Sequence, residues 1–346
     1  MRVLIDQSLP FALAHGGAQI QIERTRSALQ EIGVECEFLR WWDGQQRCDL
    51  IHYFGAASST YLHHARIAKV PVVMTQLFTE TCNRPAAQLK RQGLLVKTLL
   101  AAPFGEGIKR QLAWRSYQNC DHNIVGLEAE RRVLQTAFLV PPERVSVVPI
   151  GLSRAYVQAN PARRNEPELI CTGTITERKN FVELAQMALA ARVPIRFVGK
   201  PYHPDDPYWL RFRQLIDNQW VKHSPHVDTE AEMISLLQTA RGFAFMSDYE
   251  NWCLSAHEAA ACGLPLLVQD QNWSRERFGN QARYLPDIGM TQRNIEALKS
   301  FYADSPNLPA PKIKLHDWTE VARQLAAVYA TLLKPQPDAR PPKSQS

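Results

Sequence analysis

The chain has 346 residues, 45% hydrophobic and 21% charged, with a formal net charge of +6. That length fits about two domains, each able to bury its own core. The balance excludes wholesale disorder, collagen and a membrane bundle, and the charge falls short of a strongly basic nucleic-acid binder.

In chain order, the first half offers strand-like runs at Val3–Ile5, Val34–Leu39, Leu50–Phe54, Val70–Thr75, His122–Val125 and Val145–Pro149. The second half offers Leu169–Thr172, Ile195–Val198, Gly242–Met246, Leu266–Val268 and Ala282–Leu285. Helical patterns lie between them. Ala18, Ile22, Thr25, Leu29 and Ile32 share one face, and Gly33 ends that run. Phe181, Leu184, Ala185, Ala188 and Leu189 repeat the pattern after Asn180. Strands alternating with helices predict α/β architecture with parallel sheets covered on both faces.

The polar, proline-bracketed stretch Asn160–Pro167 reads as a linker. The expected organisation is two Rossmann-like doubly wound domains. Residues 1–158, completed by a returning helix over 318–333, form the first, and residues 166–317 the second. Residues 334–346 hold four prolines and no large apolar side chain, and are expected to be a disordered tail. Ligands are expected at the carboxyl ends of the strands. Seven cysteines without a Cys-x-x-Cys pair argue against a disulfide framework or zinc site and for a reduced, cytoplasmic setting. Met1–Asp6 is too short an apolar run for a signal peptide, and no apolar stretch is long enough to span a membrane.

The most informative segment runs from Phe245 to Pro265. A strand ends near Ser247, a polar loop follows, and a short helix is expected from Ser255 to Cys262. Glu250 lies in the loop and Glu258 one turn inside the helix, with seven residues between them. A helix N-terminus suits a phosphate, and a carboxylate one turn down can hold a ribose diol. The alternative is a capping box, Ser255-Ala-His-Glu258, in which Glu258 only reaches back to the N-cap amide. Upstream, Cys171-Thr-Gly-Thr-Ile-Thr-Glu-Arg-Lys-Asn180 places Arg178 and Lys179 at a helix entrance that Asn180 and Glu183 can cap. These cations can clamp a pyrophosphate, or can be a solvated turn. His15-Gly-Gly-Ala18, between the first strand and helix, either lets backbone amides approach a phosphate or sugar, or makes a tight turn. It is not G-x-G-x-x-G, which argues against a dinucleotide-dependent dehydrogenase.

These features, in this order, resemble the group 1 glycosyltransferases, retaining enzymes of the two-domain GT-B fold that use nucleotide-sugar donors. Glu250 through Glu258 followed by Ala259–Pro265 matches the E-x7-E motif and is the specific part. Gly16-Gly17, Asp49–Tyr53, Arg144–Leu152, Gly173–Asn180 and Phe197–Gly199 are similar to other segments of the family. The resemblance implies that Glu258 holds the donor ribose and that Glu250 faces the donor sugar. Arg178, Lys179 and the amides of Leu254 and Ser255 would neutralise the diphosphate. Gly173 would belong to the phosphate-binding segment, and Gly16 and Gly17 would approach from the other domain. Glu250, Lys179 and Arg178 would be the catalytic groups. No metal or other cofactor is expected, because cations and the helix dipole take that part.

The chain departs from the family pattern at three places. Thr174 stands where an arginine is frequent, and Cys253 replaces a glycine, although Trp252 keeps the aromatic position before it. Val72–Glu80 lacks a histidine, leaving Gln76 or Glu80 for that space. These departures keep open an inactive sugar-nucleotide or glycan binding protein, with a sugar-nucleotide epimerase on the same fold as a closer rival. His63-His64 is adjacent and His223 and His226 fall in an expected loop, so no metal site is predicted.

Residues 84–115 carry seven basic side chains and one acid, a net charge equal to that of the whole chain. On a helix, Leu95, Val96, Leu99 and Leu100 share one face opposite Lys90, Arg91 and Lys97, with Leu94 the exception; Phe104 and Trp114 follow. This is either a core-facing helix with a solvated basic side, or a surface that docks on an anionic membrane. The expected partners are a nucleotide-sugar donor and a glycan, lipid-linked or small-molecule acceptor, with no nucleic acid. The expected location is cytoplasmic, at the inner face of the membrane.

Overall fold

A computed structural model describes residues 1–12, 16–76, 80–103 and 112–334. Two six-stranded sheets, parallel throughout, make up the molecule. The first contains β1 (Arg2–Gln7), β2 (Glu35–Phe38), β3 (Leu50–Phe54), β4 (Val72–Thr75), β5 (His122–Val125) and β6 (Val145–Val147), in the order β2-β1-β3-β4-β5-β6. The second contains β7 (Leu169–Thr172), β8 (Ile195–Val198), β9 (Val221–Ser224), β10 (Gly242–Phe245), β11 (Leu266–Gln269) and β12 (Arg283–Leu285), in the order β12-β11-β10-β7-β8-β9. Helices cover the faces, so central strands such as β3, β7 and β10 are buried along their whole length.

The strand order reverses between β1 and β3 in one sheet and between β7 and β10 in the other. These are the switch points where crevices open at the carboxyl ends of parallel strands. The final helix, Trp318–Leu333, returns to pack on the helix Gly17–Glu31, and Tyr329 and Leu325 join the first core beside Ile22 and Leu29. Its Tyr329 hydroxyl meets Nδ1 of the fully buried His52 at 2.6 Å, while His52 Nε2 meets Thr75 Oγ1 at 2.6 Å. Burial holds the His52 pKa down at about 3, so this ring is neutral.

Two expectations need correction here. Val221–Ser224 is an edge strand, so His223 lies in a strand rather than a loop. The helix Ala86–Ala101 buries Leu89, Gly93 and Val96, whereas Leu95 is 58% and Leu94 65% exposed. Gly93 is required there, because an added Cβ would lie 2.1 Å from the Thr136 carbonyl oxygen. The close approach of helices 86–101 and 128–137 therefore turns the 86–101 helix on the axis running through that glycine. Phe104, Lys109, Arg110 and the tail over 335–346 lie outside the described residues.

Candidate functional site

The loops leaving β7 and β10 are tied together at the second switch point. The turn Glu177–Lys179 follows Gly173, and Arg178 projects to the loop after β10. Its guanidinium donates to the Tyr249 carbonyl at 2.6 Å, to Glu250 Oε1 at 2.8 Å and to Ser247 Oγ at 3.3 Å. Burial alone would lower the Arg178 pKa, but the Glu250 charge and hydrogen bond outweigh it and the net shift is upward. Glu250 also accepts from Ser247 Oγ at 3.1 Å. Asn180, in a left-handed conformation (φ 49°), donates to Asp248 Oδ1 at 2.7 Å. It makes no side-chain cap on the helix Phe181–Ala191, and Glu183 instead accepts from the Tyr208 hydroxyl. The Arg-Lys pair is therefore divided. Arg178 is committed to holding the Glu250 loop, and Lys179 has no ion pair among the described residues. The Lys179 ammonium lies over the Phe245 ring at 5.5 Å. It also sits where a Cβ on Gly173 (φ 151°) would come within 3.1 Å of it.

The helix carrying Glu258 runs from Leu254 to Ala261, one residue earlier than its sequence indicates. Its N-cap is Cys253 at φ 57°, with no side-chain cap bond. The capping box is therefore absent, and Glu258 makes no side-chain hydrogen bond among the described residues. Cys253 holds a conformation that costs a non-glycine residue about 1 kcal/mol or more. Burial raises the Glu258 pKa to about 7; Glu230 adds to the rise and Lys179 opposes it. The result is an unbonded, partly buried carboxylate one turn below a bare helix N-terminus, with a cation nearby.

The first sheet supplies the facing wall. Gly16 (φ 127°) is the N-cap of helix 17–31, and a Cβ there would lie 3.4 Å from Thr174 Oγ1. A Cβ on Gly17 would lie 3.9 Å from Leu254 Cδ1. The glycine pair thus abuts both loops of the second switch point. Gln76 is buried, donates to Asn123 Oδ1 at 2.9 Å, and lines a cavity shared with Glu130 and Asn251. The Glu80 side chain lies outside the described residues. No cluster of three or more His, Cys, Asp or Glu side chains is arranged for a metal among the described residues. None of their helices is long and apolar enough to cross a membrane.

Sequence reasoning missed the residues that join the two sheets. Glu130, fully buried, accepts from the amides of Gly126 (2.7 Å) and Leu127 (2.9 Å) and from Asn251 Nδ2 (2.8 Å). Asn251 is the neighbour of Glu250, so this bond pins the loop after β10 to the opposite sheet. Burial lifts the Glu130 pKa to about 7. Glu276 accepts from the amides of Glu128 (2.7 Å) and Ala129 (3.0 Å), capping a helix of the first sheet from the second. Arg277 lies 3.6 Å over the Trp252 ring and donates to the Gly126 carbonyl, while His257 stacks on the same indole at 4.7 Å. Only Glu130 left a trace in the sequence, as the acidic third residue of a helix start.

Residues 153–324 match the family model described as glycosyl transferases group 1. The chain belongs to the group 1 glycosyltransferases. Over 184 residues it is 23% identical to the O-antigen chain mannosyltransferase B of Escherichia coli, covering 49% of this chain and 48% of that protein. The chain spans about half the length of the curated relatives it matches. Among solved structures it resembles sucrose-phosphate synthase from Thermosynechococcus elongatus, with a TM-score of 0.70 and 16% identity over 96% of this chain and 99% of that one. Anabaena HepE in complex with UDP-glucose is also similar, with a TM-score of 0.62 and 14% identity over 96% and 100% of the two chains. The two-sheet arrangement of this group 1 family member is the GT-B fold.

Proposed function

We propose that the chain is a retaining glycosyltransferase that moves a sugar from a nucleotide-diphosphate donor to a hydroxyl of a glycan, lipid-linked or small-molecule acceptor. The observation that carries this reading is the unbonded Glu258 carboxylate below the bare amides of Leu254 and Ser255, beside Lys179 and opposite Gly16-Gly17. In this reading the ribose diol donates to Glu258. Lys179 and the two amides neutralise the diphosphate, which is the leaving group. Arg178 orients Glu250 toward the donor sugar and adds its charge from behind. The acceptor hydroxyl attacks the anomeric carbon on the face the diphosphate leaves. The carbon–phosphate-oxygen bond breaks, the new glycosidic bond forms, and the hydroxyl proton passes to the departing phosphate oxygen. Positioning and leaving-group stabilisation then supply the catalysis, with no protein nucleophile and no metal.

A panel of nucleotide sugars tests the reading. At least one should raise the melting temperature, and Glu258→Ala should erase that rise. If none binds at millimolar concentration, the reading is wrong. Retained donor binding without sugar transfer to any acceptor would favour the inactive binding protein. Conversion of donor sugar without acceptor would favour the epimerase.

The exposed side of the 86–101 helix supports a peripheral membrane contact in the same reading. Leu94 and Leu95 project among Lys90, Arg91 and Lys97, an apolar pair within a basic surround. Co-sedimentation with phosphatidylglycerol vesicles should fall on Leu94→Glu, and binding unaffected by that change would remove the contact from the proposal.

A further inference from the structure

Glu250 stands in a loop that is anchored residue by residue. From its own sheet, Arg178 fixes the Tyr249 carbonyl at 2.6 Å and Glu250 Oε1 at 2.8 Å. Ser247 Oγ donates to the same Oε1, so Glu250 Oε2 makes no hydrogen bond among the described residues. Asn251 is held by Glu130 of the first sheet at 2.8 Å. Trp252 lies under Arg277, which donates to the Gly126 carbonyl of that same sheet.

Glu130 is a carboxylate of fixed orientation. The amides of Gly126 and Leu127 both donate to Oε2, which completes the local helix start. Oε1 serves no purpose there and points across the interface to Asn251 Nδ2. The group is 1% exposed, and among the described residues no cation forms an ion pair with it. The charged and titratable groups facing it are Glu276 and Arg277 on the helix Asn272–Phe278 and Cys82 on the turn Glu80–Asn83. The loop across the interface carries Glu250, already paired with Arg178. His52, neutral, lines the same cavity. A buried carboxylate needs its acceptor sites filled, so Asn251 and Glu130 hold each other in place.

We infer that Asn251 is a positioning residue for Glu250. Its bond to Glu130 sets the loop against the first sheet so that Glu250 Oε2 meets the donor sugar. Arg178 fixes the other oxygen from behind, and one peptide unit carries any shift of Asn251 to Glu250. Misplacing a group at a reacting centre by about 1 Å can cost about a hundredfold in rate. The inference rests on the glycosyltransferase reading, which supplies the sugar that Glu250 meets.

The test titrates the full chain with the nucleotide sugar that raises its melting temperature most and with the matching nucleoside diphosphate, at pH 6 and pH 8. Asn251→Ala should leave diphosphate affinity within about twofold and weaken the nucleotide sugar relative to it by about fivefold or more. Asn251→Asp sets a second carboxylate against Glu130. The two share a proton at pH 6 and repel at pH 8, so the sugar preference should stay within about threefold of the parent's at pH 6 and be lost at pH 8. The parent should show a smaller, opposite trend, because protonating Glu130 (pKa about 7) replaces a charge-assisted bond with a neutral one. Adding Glu130→Gln to Asn251→Asp exchanges donor and acceptor. The introduced glutamine takes both amides on its oxygen and turns its NH2 to the introduced aspartate. This double variant should recover the preference to within about threefold at pH 8. Glu276→Ala breaks a neighbouring bond between the sheets without touching the loop after β10, and should leave the preference unchanged. Melting temperatures without ligand report folding, and the pair Asn251→Asp and its double variant decides the matter if Asn251→Ala does not fold. Three results overturn the positioning role: both ligands weakened by one factor in Asn251→Ala, an unchanged preference in it, or a double variant no better than Asn251→Asp at pH 8. A parent that binds neither ligand refutes the glycosyltransferase reading and the inference with it, whereas any of those three results in a parent that does bind refutes the inference alone.

Discussion

Glu258→Gln separates the cost of the site from its use. The glutamine mimics the protonated acid at nearly constant shape. Glu258 has its pKa raised from 4.5 to about 7, chiefly by burial. A carboxyl group with a raised native pKa favours the folded state below its unfolded pKa, and that favour is lost as the pH rises through the native value. Ionising Glu258 in place therefore costs about 3 kcal/mol at pH 8 and about 1 kcal/mol at pH 5, since each pH unit between its unfolded and native pKa contributes about 1.4 kcal/mol. The variant should be the more stable protein without ligand, by about 6–12 °C in melting temperature at pH 8 and several degrees less at pH 5. With nucleotide sugar that advantage should shrink, by up to about 1.4 kcal/mol for each tenfold of affinity lost, because in the proposed role the charged acceptor of the diol hydrogen bonds is gone and affinity should fall about tenfold or more. Thermal melts of both proteins at the two pH values, with and without the nucleotide sugar, check all of this. A stability difference that does not grow between pH 5 and pH 8 refutes the buried-charge argument. Unchanged affinity refutes the ribose role.

Three further changes test the frame around the site. Tyr329→Phe leaves Nδ1 of buried His52 without its partner and should cost about 1–3 kcal/mol in urea unfolding, with nucleotide affinity unchanged. Gly199→Ala would place a Cβ 1.9 Å from the Gly173 carbonyl oxygen at a φ of 153°. It should destabilise by about 2 kcal/mol or more and also weaken nucleotide binding, read from melting temperature and titration, because it displaces the Gly173 loop. Glu276→Ala strips the helix 128–137 of its cap from the other sheet. It should cost about 1 kcal/mol and speed amide exchange at Glu128 and Ala129.

The buried strands were legible because each is a short apolar run in a regular alternation with helices. Val221-Lys-His-Ser224 escaped because an edge strand buries only one of its four residues fully, leaving no period to find. At the site, the spacing of Glu250 and Glu258 and the Arg178-Lys179 pair were visible, but the division of labour within the pair was not. Whether Arg178 reaches a ligand or Glu250 depends on how far the loops after β7 and β10 approach each other. The competition between capping box and free carboxylate was likewise undecidable from Ser255 and Glu258. It turns on the backbone of Cys253, whose left-handed φ of 57° lets the helix begin at Leu254 without a side-chain cap. The contacts between the sheets left almost no trace, since Glu276 and the amides it caps are far apart in the chain and carry no shared pattern.

The same buried groups explain why the wild-type protein alone conceals the cost of its site. Glu130 and Glu258, with pKa values raised to about 7, bind protons more tightly when folded. His52 and His257, with pKa values lowered to about 3 and about 4, bind them less tightly. As pH falls from 6.5 toward 4.5, each carboxyl group adds about 1.4 kcal/mol of stability per pH unit and each imidazole removes the same. Two groups on each side nearly cancel, so these four leave the wild-type profile close to flat across that window. Removing Glu258 leaves one carboxyl group against two imidazoles. The variant should then lose stability on acidification where the parent does not, and the cost of the buried Glu258 charge becomes measurable as that difference in slope.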